Sequence, residues 1–216
     1  LAVDLTVPVL TINTIAGDDI INATEHGQAL VISGSSTGGE AGDVVTVTLN
    51  SKTYTTTLDA SGNWSVGVPA ADVTALGSGP QTVTATVTDA AGNSDSETHT
   101  VTVNLTAPTI GINTIATDDI LNAAEAGNPL TISGSSTAEA GQTVTVTLNG
   151  VTYTGTVQAD GSWSVSVPTA DLSNLTASQY TVSASVNDKA GNPVSATHGL
   201  AVDLTVPVLT INTIAG

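Results

Sequence analysis

Val144–Pro168 reads VTVTLNGVTYTGTVQADGSWSVSVP. Val144, Val146 and Leu148 alternate with Thr145 and Thr147. A period of two is the mark of a strand buried on one face. Asn149-Gly150 is a hairpin dipeptide, because a tight turn needs positive φ at both central residues. Trp163, Val165 and Val167 then share one face again. The stretch predicts strands that run back and forth, one after another.

The same phrase stands at Val44–Pro69, with Val45, Val47 and Leu49 inward, a turn at Asn50-Ser51 and a return strand Lys52–Leu58 carrying Tyr54. The turn Asp59–Asn63 follows, then Trp64, Val66 and Val68 on one face. The chain is therefore a tandem repeat, and the period decides the fold reading. LAVDLTVPVLTINTIAG at Leu1–Gly17 returns unchanged at Leu200–Gly216, with a diverged copy from Thr102 to Thr117. Asp4 aligns with Asn104, 100 residues on, and Asn104 with Asp203, 99 further. The missing residue falls where STGGEAGD (Ser36–Asp43) becomes STAEAGQ (Ser136–Gln142). Identical ends around a different middle imply two alternating repeat types, with a double period of 199 residues.

The rest of the first unit predicts strands at Val9–Thr14, Gln28–Ser33, Thr82–Asp89 and Glu97–Val103. Ala16–Gly27 reads as a polar connection with one helical turn, and Gly34–Gly42 as a glycine- and serine-rich loop. Pro69–Leu76 predicts a second helical turn, with Asp72 placed to cap it. Seven short strands in about 100 residues fit an immunoglobulin-like sandwich. The expected fold is all-β: tandem immunoglobulin-like β-sandwich repeats arranged as an elongated rod. A solenoid stands behind it, because solenoid periods run to about 20–50 residues. The expected domains are 1–103, 104–202 and, at 203–216, the first strand of a truncated third repeat. Leu209 and Ile211 of that strand, Val208–Ile211, would be exposed in an isolated chain. Disorder there, or self-association through pairing with a neighbouring molecule, is the expectation.

Nineteen acids face two bases, Lys52 and Lys189, for a formal charge of −17. Such a surface repels nucleic acid and anionic lipid, and it suits divalent cations or simple solubility. There is no cysteine, Phe or Met, so Val, Ile, Leu, Ala and Thr must do the packing. No run is long and apolar enough to span a membrane. Neither Gly-x-Ser-x-Gly, His-Glu-x-x-His nor a phosphate-cradling glycine loop is present, and no enzyme is expected.

With VTATVTDAAGN at Val83–Asn93 and VDLTVPVLTINTIAGDD at Val3–Asp19, the quoted phrases resemble bacterial Ig-like repeats. Those repeats occur in very large secreted adhesins of the biofilm-associated, Bap-like class and in related type I-secreted adhesins. The resemblance covers the whole chain. It implies an extended extracellular protein of the bacterial surface or biofilm matrix that holds cells to each other or to a surface. It also implies calcium near the junctions between repeats.

Chemistry points the same way separately. A sandwich receives the chain at a leading pole and releases it at a trailing pole. Following the strands places Glu40, Asp59, Asp89 and Asn93 at the leading pole and Asp18, Asp19 and Glu25 at the trailing one. The inner junction should then gather Asp18, Asp19 and Asn104 with Glu139, Asp188 and Asn192. Asp4 with Asp89 begins the same arrangement upstream, and Asp118, Asp119 and Asp203 begin it downstream. Calcium takes 6–8 oxygen ligands, and a shared cation would turn carboxylate repulsion into attraction. Ion binding between neighbouring repeats would convert a jointed string into a rod. Asn104 is neutral where Asp4 and Asp203 are charged, which implies a weaker inner site or an amide oxygen as ligand.

Other readings stand beside this one. Asp-x-x-Gly-Asn is also an ordinary turn. Asp18-Asp19 and Asp118-Asp119 also read as solvated loop residues. Glu25, Glu40, Asp59 and Asp72 read as surface or capping residues. His99 and His198 read as partly buried and His26 as exposed, while Trp64 and Trp163 read as core anchors. The functional alternatives are a carbohydrate- or protein-binding module and a matrix component forming fibrils at acid pH. The second rests on segments such as VVTVTLN (Val44–Asn50), which combine β-propensity with low charge.

Overall fold

The structure is a computed structural model and describes residues 4–210. Two compact units divide the chain, Leu1–Thr106 and Ala107–Gly216. In the first, β1 (Val9–Ile12) and β2 (Ile20–Ile21) precede a 3-10 turn at Glu25–Gly27. Then come β3 (Leu30–Thr37), β4 (Val44–Leu49), β5 (Lys52–Thr57), β6 (Asn63–Val68), helix α1 (Ala70–Thr74), β7 (Gly79–Thr88) and β8 (Ser94–Val103). The second repeats the series as β9 (Ile110–Ile112), β10 (Ile120–Asn122), β11 (Leu130–Ser136), β12 (Thr143–Leu148) and β13 (Val151–Thr156). It closes with β14 (Ser162–Val167), α2 (Thr169–Leu172), β15 (Gln179–Asn187) and β16 (Pro193–Asp203).

Each unit is a sandwich of a three-stranded and a five-stranded sheet, β1-β3-β6 on β2-β8-β7-β4-β5 and β9-β11-β14 on β10-β16-β15-β12-β13. The five-stranded sheet is antiparallel except where β2 lies parallel to β8, and β10 to β16. That pairing is the strand the periodicity missed. At two residues β2 is too short to alternate visibly. The chain crosses from one sheet to the other just before it. Ala16, Gly17 and Asp19 all adopt positive φ at this corner, which turns the backbone too sharply for ordinary extended residues.

β3 runs through Gly34 to Thr37, so the expected loop begins four residues later than its composition implied. Gly34 stands opposite Trp64, and a Cβ there would lie 1.9 Å from Thr11 O and 2.7 Å from Trp64 Cζ2. Gly134 stands opposite Trp163 in the same way, with Gly111 O at 1.9 Å from its Cβ position. The glycine gives up a side chain so that the indole can lie across the strand. Each tryptophan is buried in its core, and its ring N–H has no hydrogen-bond partner among the described residues. Val45, Val47 and Leu49 face Leu10, Ile32 and Val68 in one core, and Val144, Val146 and Leu148 join Ile132 and Val167 in the other.

Two smaller expectations change. Asp72 does not cap α1, whose N-cap is Pro69; its carboxylate instead accepts from Lys52 Nζ and, at 2.8 Å, from Tyr54 Oη. Burial, with that carboxylate alongside, pushes the Tyr54 hydroxyl up to about 12. His26 is half-buried rather than exposed, with Nε2 2.9 Å from Leu76 O, tying the 3-10 turn to α1. Within Val44–Asn50, Val44–Leu49 forms β4, hydrogen-bonded on both sides by β5 and β7, and Asn50 begins the turn. Val208 and Leu209 are exposed and outside any strand, while Ile211 lies outside the described residues.

Candidate metal centre

Charge avoids the broad faces. On the outer side of the five-stranded sheet, Thr55, Thr46, Thr86 and Ser96 stand in register across four strands, as do Thr53, Thr48, Thr84 and Thr98. β8 turns Asp95, Glu97 and His99 to the opposite side, in register with Val87, Ala85 and Val83. Most carboxylates therefore lie in turns and connections, and the sandwich ends are where oxygen donors collect.

At the leading pole of the first unit the chain brings Asp4, Asp89 and Asn93 together. The Asp89 carboxylate accepts Asn93 N–H at 2.7 Å on Oδ1 and the Asn93 amide Nδ2 at 2.7 Å on Oδ2. The same Nδ2 lies 3.4 Å from the carbonyl of Asp4. The Asn93 amide, then the turn's backbone N–H groups, hold the Asp89 carboxyl below the usual carboxylate range. The second unit repeats the turn with Asp188 and Asn192, at 2.7 and 3.0 Å, and both residues are buried. Glu139 reaches this turn across the loop between β11 and β12, accepting Lys189 N–H at 2.8 Å.

Asp4, Asn104 and Asp203 share one geometry. Each side-chain Oδ1 accepts the N–H two residues on, from Thr6, Thr106 and Thr205 at 2.9, 3.1 and 3.0 Å. This turn, made by the side chain itself, is why an Asn can replace the Asp without changing the local path.

The trailing pole departs from the expected grouping. Asp19 Oδ1 accepts Ile15 N–H at 2.8 Å and lies 2.6 Å from His99 Nε2; Asp119 Oδ1 makes the same contacts with Ile115 and His198, at 2.8 and 2.7 Å. In both, the backbone N–H comes first and the histidine adds to it, lowering the carboxyl pKa. These carboxylates hold the sheet-crossing corner, and the histidines stand revealed as their partners. Asp18 and Asp118 stay exposed and accept Ile20 and Ile120 N–H, both at 3.0 Å. Asp19 O accepts from Thr102 N–H, so the register places Asp18 and Asp19 before Asn104 and does not bring them to it. What lies beside Asn104 is Asn22: Asn104 N–H bonds Ile21 O, and in the second unit Asn122 pairs directly with Asp203. Glu25 and Glu125 cap these asparagines, accepting Asn22 and Asn122 N–H at 3.1 and 3.0 Å. Asn-x-x-Glu in both repeats was the signal for this cluster, hidden because an uncharged residue leads it.

All these groups are hard oxygen donors, the chemistry calcium takes. Among the described residues no three Asp, Glu, His or Cys side chains converge as a ready-made cage. A cation at either pole would have to draw on amide and backbone oxygens and on water as well.

Two sandwiches in series, each a Greek-key-sized unit with oxygen donors at its ends, define a class of tandem immunoglobulin-like repeats. The model of the bacterial Ig-like domain family matches residues 15–105 and 106–204, and the chain belongs to that family. Among solved structures it is similar to a Ca2+-stabilized adhesin that helps an Antarctic bacterium reach out and bind ice. Identity there is 39% over 94% of this chain and 51% of the other, with a TM-score of 0.59. It is also similar to a structure concerned with host cell surface retention of a 1.5-MDa bacterial ice-binding adhesin, with 36% identity over 93% of this chain and 66% of that one, TM-score 0.56. The chain thus spans about half to two thirds of the length of these structures. No curated protein matches it.

Proposed function

We propose that these repeats are non-enzymatic extender units in the stalk of a large bacterial surface adhesin, stiffened by calcium where consecutive repeats meet. The setting is extracellular, at the cell surface or in a biofilm matrix. The observation that carries the reading is the segregation of charge. Broad faces carry hydroxyl rows, while Asp4, Asp89, Asn93, Glu139, Asp188, Asn192 and Asp203 gather at sandwich ends. A single end offers too few oxygens for the 6–8 that calcium takes. A leading pole together with the trailing pole before it supplies more. In this reading Asp18, Asp19 and Asn104 of one repeat and Glu139, Asp188 and Asn192 of the next supply the oxygens of the inner junction. The likeness to a Ca2+-stabilized adhesin supports the metal, and the tandem repetition supports a spacer.

A recognition module gains nothing from these observations. Trp64 and Trp163 are buried and Tyr54, Tyr153 and Tyr180 half-buried, so the described residues offer no exposed aromatic platform for a sugar.

Calcium titration of the intact chain tests the reading. Calcium is expected to raise the melting temperature and to lengthen the particle in small-angle scattering. Asp188→Ala is expected to remove both effects, and to cost the metal-free second unit about 1–3 kcal/mol because buried Asn192 loses its acceptor. A chain whose stability and dimensions ignore calcium would end the stiffening mechanism and leave a plain spacer.

A further inference from the structure

Each unit carries a histidine in its last strand, His99 in β8 and His198 in β16. Their Nε2 atoms lie 2.6 Å from Asp19 Oδ1 and 2.7 Å from Asp119 Oδ1. An ionised carboxylate only accepts, so the imidazole N–H donates. The partners come from opposite ends of a unit's chain: the aspartate closes the corner after the first strand, and the histidine belongs to the strand by which the chain leaves. That strand differs around the histidine. Glu97, Thr100, Val101 and Thr102 are replaced by Ala196, Gly199, Leu200 and Ala201, whereas His99 recurs as His198. The aspartates sit at φ 62° and 65°, where glycine would be free of strain. Both positions carry a side chain where the backbone favours none.

The same aspartates hold the last strand a second time. Asp19 O accepts Thr102 N–H and Asp119 O accepts Ala201 N–H, both at 2.9 Å. These bonds open the parallel pairing of β2 with β8 and of β10 with β16. The parallel direction decides how force acts. Pulling a unit by its two ends drags β2 backward and β8 forward along each other. A ladder loaded in this way shares the force among all its bonds, whereas a peeled ladder breaks one bond at a time. With Ile20 and Ile21 paired in one unit and Ile120 to Asn122 in the other, these ladders are short. The aspartate–histidine bond joins the same two segments, and a bond to an ionised group is about twice as strong as a neutral one. In the first unit β8 also holds β1 itself, where Asp95 Oδ2 accepts Leu10 N–H at 2.7 Å.

We propose that Asp19–His99 and Asp119–His198 are tension-bearing latches, each fastening the corner where the chain changes sheets to the strand by which it leaves. Such a latch matters only in a stalk under tension and so rests on the extender reading, but it needs no ion. Forced unfolding is governed by the unfolding rate rather than by equilibrium stability. A bond that lies across the sheared ladder therefore sets how long a repeat survives a pull.

Force-clamp unfolding of the intact chain in EDTA tests the latch. The sequence has no cysteine, so introduced pairs are unique handles. Thr6→Cys with Ala107→Cys loads the first unit end to end, while Ser51→Cys with Ser61→Cys stretches β5 and leaves the latch unloaded. In the end-to-end geometry His99→Ala is expected to speed unfolding about tenfold at constant force, the loss of one hydrogen bond to a charged group. Asp19→Gly suits the positive φ but also frees Ile15 N–H, so it should be faster still. The double variant should be no faster than Asp19→Gly, because the two residues act as a pair. His99→Gln, which offers an amide N–H in place of the ring N–H, should recover part of the lost lifetime. Neither substitution should change the rate when Ser51→Cys and Ser61→Cys are the handles. An end-to-end rate that ignores both substitutions, or one raised equally in both geometries, would overturn the proposal. So would rates that multiply in the double variant. Calcium is absent throughout, so the latch can fail while ion stiffening stands, and the reverse.

Discussion

The two sandwiches agree in their interiors and part company at their surfaces. Trp64 on Gly34 and Trp163 on Gly134 are the same device, down to a backbone oxygen 1.9 Å from the Cβ position that each glycine lacks. The corner aspartates Asp19 and Asp119 bond the same backbone group and the same histidine in both units. Outside, one unit has Lys52 on Asp72 where the other has Val151; in the loop after the third strand, buried Asp43 stands where the other has Gln142. The cores keep this frame while single side chains trade volume, Leu58 for Val157, Val73 for Leu172 and Val101 for Leu200, as cores tolerate when total volume and patterning are kept.

The sharpest way to break this comparison is to attack the shared core. Trp64→Ala and Trp163→Ala each remove a buried indole and should cost their own sandwich about 3–5 kcal/mol, as large-to-small core changes do. Differential scanning calorimetry should show one transition falling in each variant while the other holds. Unequal costs would mean that the cores are less alike than their geometry.

Acid should separate the units more gently. Asp19, Asp59, Asp72 and Asp89 are lowered in the first unit, Asp119 and Asp160 in the second, chiefly by turn N–H groups or by nearby side-chain donors. A depressed carboxyl stabilises the fold above its unfolded value of 3.8, and that contribution is lost as pH falls through the folded value. Both units should thus hold steady from neutrality to about pH 5 and weaken below about pH 4. The first, with more such groups, should weaken further. Melting curves at stepped pH that show the second unit failing first would reverse this ranking.

The smallest effect belongs to Lys52. Its ammonium is half exposed, and surface ion pairs contribute about 0–1 kcal/mol. Lys52→Val, which copies Val151, should change the first unit's midpoint in urea by no more than that. It should leave the Tyr54–Asp72 bond in place, as the Tyr153–Asp171 bond at 2.8 Å stands without a lysine.

Periodicity alone determined most of the architecture. Alternating valine and threonine, Asn149-Gly150 and the repeat of Leu1–Gly17 at Leu200–Gly216 place the main strands, their turns and the family before any coordinates. Asn93 Nδ2 near Asp4 O, and Glu139 at the Lys189 N–H, follow from strands that run up and down and so put alternate turns at one end. Three things were not legible in the sequence. β2 is too short to show a period, and its parallel register decides that Asn22 rather than Asp18 or Asp19 meets Asn104. Asp19 and His99 lie 80 residues apart, and only the closed sandwich shows that the carboxylate secures a corner. Ser36 carries no signal of its own; a buried hydroxyl with no partner among the described residues exists only once everything around it is packed. Local chemistry is written residue by residue, whereas which oxygens share a space depends on register and closure, and those are properties of the folded chain.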